Sequence, residues 1–156
     1  MKISLILTGK TTEEYIQNGC KMYDSRINRY LPFAQVVVAA EGAKGLPPLT
    51  VNQREATNQL KAIESVDYLI LLDENGREHT SVEFANFLQQ RMNQGIRHLA
   101  FMVGGAYGFD EVIRKKAHYQ LSLSKMTFPH QLIRLLFMEQ LYRGFTILRN
   151  EPYHHA

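Results

Sequence analysis

Cysteine is nearly absent: Cys20 is the only one in 156 residues. A lone thiol excludes an intrachain disulfide and any Cys-x-x-Cys metal or redox motif, and it points to a reducing compartment. Cys20 itself reads as a small core or helix-surface residue. No aliphatic stretch approaches the roughly 20 residues needed to cross a bilayer. Met1-Lys2 leads straight into the strand-length run Ile3–Leu7 with no small-residue cleavage site after it, so no secretory signal is expected. Gly-x-Ser-x-Gly, Walker, His-Glu-x-x-His and cysteine-rich zinc patterns are all missing. Hydrolase, NTPase and zinc-enzyme readings therefore lack support. There is no internal repeat and no low-complexity tract. The expectation is a soluble, cytoplasmic chain forming one domain over residues 1–156, without metal.

What is present is distributed unevenly. Residues 1–109 carry eleven basic and eleven acidic side chains, whereas residues 110–156 carry seven and four, the entire net charge of +3. Four of the six histidines also lie in that last segment. A neutral front followed by a basic, histidine-bearing end implies a scaffold presenting a site to an anionic partner.

Four near-continuous apolar runs of strand length, Lys2–Thr8, Gln35–Ala40, Tyr68–Asp73 and His98–Val103, fit parallel strands covered on both faces. Helical patterns fall between and after them at Thr12–Arg29, Thr50–Ser65, Ser81–Asn93 and Asp110–Ala117. Thr80/Ser81 with Glu83 marks a helix start, Gly95 a helix end, and Asp110 an N-cap. The alternation predicts an α/β parallel sheet with ligand sites at the carboxyl ends of the strands. Glu41–Leu49 reads as a surface loop. A final helix from about His130 to Leu148 is apolar around most of its circumference, apart from a stripe through Glu139, Arg143 and Thr146. Such a helix needs cover on several sides, and the expected cover is a second copy of the chain.

Three groups of residues look chemical. Gly104-Gly105-Ala106-Tyr107-Gly108 follows the fourth strand and precedes a helix; a structural turn and a ligand loop both fit it. Leu72-Asp73-Glu74-Asn75-Gly76 reads as a glycine turn with solvated carboxylates, because no third metal ligand has diagnostic spacing. His79, His98 and His118 read as structural. In the third group His130 opens the long helix, and Arg143 lies four residues after Glu139 on one face. An intrahelical pair is its simplest reading, yet a guanidinium on so apolar a helix also suits an anion or imide-oxygen clamp. Tyr153-His154 would ordinarily fray, and His155 and Ala156 are expected to do so.

Taken together, Gly104-Gly-x-x-Gly108, Ser122-Leu-Ser-Lys-Met-Thr-Phe-Pro-His130, Glu139-Gln-Leu-Tyr-Arg143 and Pro152-Tyr-His154 resemble the RlmH family. These are small SPOUT-class methyltransferases acting on a pseudouridine of 23S ribosomal RNA. The resemblance runs the whole length, from Thr8-Gly9-Lys10 through Leu72-Asp-x-x-Gly76 to the tail. It implies an α/β SPOUT fold with a C-terminal trefoil knot that binds S-adenosylmethionine. By the same resemblance Leu72, Gly104, Leu123, Ser124, Lys125, Met126, Thr127 and Phe128 line the cofactor pocket. His130, Arg143, Tyr153 and His154 then match the substrate side, and a homodimer builds each site from both chains. The chain departs from relatives at Glu55-Ala56, at Gly76-Arg77 and in the final His155-Ala156.

The implied substrate is N3 of a pseudouridine in the helix 69 stem-loop of 23S ribosomal RNA, on the ribosome. Methyl transfer there needs no metal, but it needs a near-attack geometry, a proton acceptor and charge stabilisation. His154, with His130 second, is the expected acceptor, and Arg143 would stabilise the carbonyl oxygens. Two alternatives keep other chemistry open: a SPOUT ribose 2′-O-methyltransferase, and a non-catalytic RNA- or nucleotide-binding α/β protein.

Overall fold

The computed structural model describes residues 1–42 and 44–155. Five parallel strands form one sheet: β1 (Lys2–Thr8), β2 (Phe33–Val38), β3 (Tyr68–Glu78), β4 (His98–Val103) and β5 (Tyr119–Ser122), in the order β2-β1-β4-β3-β5. Five helices connect and cover it: α1 (Glu14–Ile27), α2 (Pro48–Ala62), α3 (Ser81–Asn93), α4 (Glu111–Lys116) and α5 (His130–Leu148).

The apolar runs of β1, β3 and β4 are continuous because these inner strands bury both faces; β2 spans Phe33–Val38 rather than Gln35–Ala40 and, as an edge strand, leaves Val36 and Val37 exposed. Ile3, Leu5 and Leu7 of β1, Ile70 and Leu72 of β3, and Leu99, Phe101 and Val103 of β4 face α1, α3 and α5. The intervening Ile6, Leu69, Leu71, Ala100 and Met102 pack on the opposite side with Ala56 of α2 and Ile113 of α4. Two-residue periodicity thus feeds two cores from one sheet. Several expected boundaries hold closely: Thr80 and Glu83 form a reciprocal capping box, and the Asp110 side chain accepts from Val112 N. Gly95, at φ 75°, follows α3.

Three expectations need correction. β5 was not anticipated, since Tyr119-Gln120-Leu121-Ser122 is half-polar, as an edge strand permits. Leu72–Gly76 is not a free turn. It is an irregular stretch within an 11-residue β3, whose register against β5 shifts between Leu72 and Arg77. Nor are its carboxylates simply solvated: Asp73 pairs with Arg114 at 2.8 Å and Glu74 accepts from Thr127. Gly76 lies so close to β5 that a Cβ there would meet the Gln120 carbonyl carbon at 2.6 Å.

α5 packs between α1 and α3. Phe137, Met138, Leu141 and Phe145 are buried in the core, while Leu132, Leu135, Leu136 and Ile147 stay half-exposed. The expected polar stripe is only partly polar in effect, because Thr146 is buried and donates to the carbonyl of Arg143.

Candidate functional site

The carboxyl ends of β3, β4 and β5 surround a cavity of about 520 Å³. Leu72, Val103, Leu121, Leu123, Phe128 and Ile133 give it apolar walls. Its rim is the glycine turn after β4. There Gly108 N donates to Gly105 O, with Gly108 at φ 81°, which only glycine adopts readily. At Gly104 a Cβ would come within 2.9 Å of the Gly108 carbonyl oxygen. The missing side chain therefore lets the turn fold tightly and bring its backbone to the cavity.

The opposite wall is the segment after β5, held by its own short-range bonds. Ser122 Oγ donates to Ser124 O at 2.8 Å, Met126 N donates to Ser124 Oγ, and Thr127 Oγ1 reaches Glu74. The Asp73–Arg114 pair secures the β3 side. Burial opposes ionisation of Asp73, but the Asn75 backbone N–H and the Arg114 guanidinium outweigh it and hold the carboxyl below its usual range.

Of the residues expected around a cofactor, Leu72, Gly104, Leu123, Ser124, Met126, Thr127 and Phe128 line this cavity. Lys125 does not. It points into solvent and lies 3.8 Å from Glu78.

A second constellation sits at the far end of α5. The helix closes in a Schellman arrangement, with Asn150 at φ 54°, Asn150 N donating to Ile147 O and Glu151 N to Thr146 O. That reversal folds the tail back over the helix. Tyr153 Oη donates to Glu139 Oε1 at 3.0 Å, and its ring lies beneath Arg143, 4.7 Å from Cζ to centroid. Arg143 Nε donates to the same carboxylate oxygen. Arg143 Nη1 lies 3.1 Å from His154 Nδ1. The tail is therefore ordered through His154, contrary to the ordinary expectation for a terminus; Ala156 lies outside the described residues.

A guanidinium has donors only, so His154 Nδ1 must accept and the ring proton sits on Nε2. The Glu139 hydrogen bond, against the opposing effect of burial, keeps the Arg143 cation firmly charged. Burial, with the Tyr23 and Glu139 hydrogen bonds, raises the Tyr153 phenol well above its usual value.

His130 stands apart from these three. It lines the cavity at the start of α5, and 13 residues of helix place it about 20 Å from Arg143. Burial and the nearby Arg134 lower its pKa, favouring the neutral ring.

Sequence reasoning missed Arg134. It is fully buried, Nη1 donating to Gly9 O and Thr11 Oγ1 and Nη2 to Thr8 O. The signal was available: one charge inside Leu132-Ile133-Arg134-Leu135-Leu136.

Comparison with known proteins places this architecture. A family model described as "Predicted SPOUT methyltransferase" matches residues 1–154. The chain is 47% identical over 156 residues to the ribosomal RNA large subunit methyltransferase H of Flavobacterium johnsoniae, covering 99% of each chain. It is 46% identical to the protein of that name from Parabacteroides distasonis, again over 99% of each. The chain belongs to this SPOUT methyltransferase family. Among solved structures, a probable methylase family protein from Haemophilus influenzae superposes with a TM-score of 0.51 at 13% identity, covering 96% of this chain and 66% of that one. That likeness bears on the SPOUT fold alone.

The residues fit the methyl donor of SPOUT methyltransferases, S-adenosylmethionine. The cavity volume is within the roughly 300–1,000 Å³ of small-molecule sites. Its walls offer apolar cover for a flat ring and backbone groups for polar edges. Among the described residues no group of three or more His, Cys, Asp or Glu side chains could hold a metal, and no helix is long and apolar enough to cross a membrane.

Proposed function

We propose that this chain, a single SPOUT domain over residues 1–156, methylates large-subunit ribosomal RNA with S-adenosylmethionine. Its target is N3 of a pseudouridine in the helix 69 stem-loop of 23S RNA on the ribosome, reached as a cytoplasmic homodimer. The observation that carries the reading is the backbone-lined cavity between the glycine turn and Leu121–Phe128, in a chain whose full-length relatives bear the methyltransferase name.

The cofactor, when bound there, supplies a methyl group activated on a sulfonium. Gly104, Leu72, Leu123, Ser124, Met126, Thr127 and Phe128 hold it. Lys125 stands outside this set, because its side chain leaves the cavity for solvent. The protein's remaining tasks are to orient the base, accept the N3 proton and stabilise charge on the flanking carbonyl oxygens.

The geometry redistributes the histidine roles expected from sequence. His154, with Nδ1 occupied by Arg143, presents Nε2–H as a donor, suited with Arg143 to the carbonyl oxygens. His130, neutral and in the cavity wall, is the better proton acceptor. About 20 Å of helix separates them in one chain, so a complete site requires the trio of a second, antiparallel copy. The half-exposed Leu132, Leu136 and Ile147 support that pairing by leaving one apolar side of α5 to be covered. The trefoil knot belongs to the same reading. It is supported by the match of the SPOUT family model over residues 1–154.

The test is to incubate ribosomes lacking the methyl mark with the protein and labelled cofactor, then map the label by mass spectrometry. Label on N3 of one pseudouridine is expected. Label on a ribose hydroxyl, or none, defeats the proposal. With a charge of only +3, the chain is expected to bind an isolated stem-loop weakly.

A further inference from the structure

Among the described residues five buried side-chain polar atoms lack a protein partner, and three of them belong to α2: Asn52 Oδ1, Glu55 Oε1 and Gln59 Oε1. Spacings of three and four place these residues in one row along the helix. The row lies over the carboxyl ends of the strands. Gln59 Nε2 donates to Thr8 Oγ1 at 3.0 Å, and that hydroxyl donates to Val103 O, where β4 ends. Asn52 Nδ2 donates to Tyr107 O inside the glycine turn, also at 3.0 Å. Between them Glu55 Oε2 accepts from Glu41 N at 3.2 Å, in the segment after β2.

Glu55 is the member of this row that the methyl-transfer steps leave unexplained. It is only 2% exposed. Burial pushes its carboxyl up; the Glu41 N–H opposes that rise and the Glu41 carboxylate adds to it. A carboxyl group with one oxygen unpaired is a costly filler, because an apolar side chain of similar size would desolvate nothing polar. Its position accounts for the choice. A Cβ on Gly105 would fall 2.5 Å from Glu55 Oε1, 2.7 Å from Oε2 and 2.9 Å from Cδ. The carboxyl group therefore sits where a side chain at position 105 would begin. Gly105 is not one of the glycines with positive φ, so the carboxyl group and not the backbone conformation requires glycine there. Gly105 O accepts from Gly108 N, and Gly105 lines the cavity while Glu55 does not.

We propose that Glu55 is a positioning residue for the methyl-donor site: wedged behind Gly105 and tied to Glu41, its carboxyl group sets how far the glycine turn stands over the cavity. This rests on the S-adenosylmethionine reading of that cavity and adds the group that shapes its rim from behind. Asn52 fixes the same turn at Tyr107, and Gln59 fixes its root through Thr8 and Val103. Glu55 acts through the turn and touches neither the donor nor the reacting atoms. Its second oxygen holds the segment after β2, so one side chain joins two loops across the end of β1.

The test uses the full chain, wild type beside Glu55→Ala, Glu55→Asp, Glu55→Gln, Gly105→Ala and the double variant Glu55→Ala with Gly105→Ala. S-adenosylmethionine affinity is measured by calorimetry well below each melting temperature, and KM for cofactor and for ribosomes is measured with kcat. Glu55→Ala is expected to weaken cofactor binding and raise cofactor KM about tenfold, with ribosome KM and saturated kcat little changed. Glu55→Asp, which withdraws the carboxyl group by one methylene, should weaken binding in the same sense and serves where the alanine variant does not fold. Glu55→Gln keeps the shape and one oxygen for Glu41 N, and should recover most of the affinity. Gly105→Ala should bind poorly, and the double variant should bind better than Gly105→Ala alone because the colliding group is gone. Folded Glu55→Ala and Glu55→Asp variants with wild-type cofactor affinity would overturn the inference, even if they melt early, since Glu55 would then serve packing only. So would a Glu55→Gln variant as weak as Glu55→Ala, or a double variant no better than Gly105→Ala. A wild-type protein that binds no S-adenosylmethionine sinks the underlying reading instead, a result distinguishable because it needs no variant.

Discussion

Arg134 Nη2 donates to the carbonyl oxygen of Thr8 across 3.0 Å, joining the middle of α5 to the end of β1 over 126 positions of sequence. Two further bonds, to Gly9 O and Thr11 Oγ1, complete the clamp. Gln131 adds a parallel tie by donating to Lys10 O and accepting from Thr12 N. The first two turns of α5, which bring His130 to the cavity, are thereby fastened to the loop after β1.

Replacing Arg134 by Ala would remove those bonds, strand buried carbonyls and leave a void. The expected loss is about 3–5 kcal/mol in urea unfolding of the native assembly, and Arg134→Lys should lose a large part of it because an ammonium cannot span three acceptors. A loss under about 1 kcal/mol in both would refute the clamp.

Gly104 and Gly76 separate binding from folding. Gly104→Ala meets the Gly108 carbonyl at 2.9 Å and Phe109 at 3.2 Å, so the turn must shift and cofactor affinity should fall about tenfold by calorimetry. Gly76→Ala collides with β5 backbone at 2.6–2.8 Å and should instead cost stability. Gly42→Ala, with open space around the added carbon, serves as the neutral control.

The Asp73–Arg114 pair predicts a pH dependence of stability. The folded carboxyl titrates below its ordinary 3.8, so its contribution is present above that value and disappears as pH falls through the folded one. Asp73→Asn should lower stability at pH 7 by about 1–2 kcal/mol, discounted for the partial exposure of Arg114. The difference between wild type and variant should shrink in melting curves taken below the ordinary carboxylate range. A constant difference across pH would contradict the assignment.

The proposed composite site makes a quantitative prediction about mixed dimers. His130→Ala and Arg143→Ala chains should each be nearly inactive alone. Co-refolded in equal amounts, random pairing makes half the dimers mixed, and each mixed dimer keeps one intact site, restoring about a quarter of wild-type turnover. No recovery, with mixed dimers verified by mass spectrometry, would show that each chain works alone. In the wild type the acid limb of the pH–rate profile is expected below 6.5, where the lowered His130 pKa lies, because a protonated ring cannot accept the N3 proton.

Much of this was legible along the chain. Ile3–Leu7 and His98–Val103 announce doubly covered strands because both faces of each are apolar. Leu123–Phe128 and Gly104 carry a family resemblance strong enough to nominate one cavity from two distant segments. Other features were hidden. Tyr119–Ser122 lacks the apolar continuity of an inner strand, and a phenol at position 153 gives no local hint that a left-handed Asn150 will turn it back onto Glu139.

Sequence alone determined the alternation of strands and helices, the capping of α3 and α4, and the residue types available for methyl transfer, since each follows from periodicity, neighbouring side chains or motif. Only the tertiary structure decided that β4 inserts between β1 and β3, that Arg134 is buried against carbonyls, and that the tail turns back to set His154 beside Arg143. Those outcomes depend on which distant surfaces exclude water together, a property that no local stretch of sequence carries.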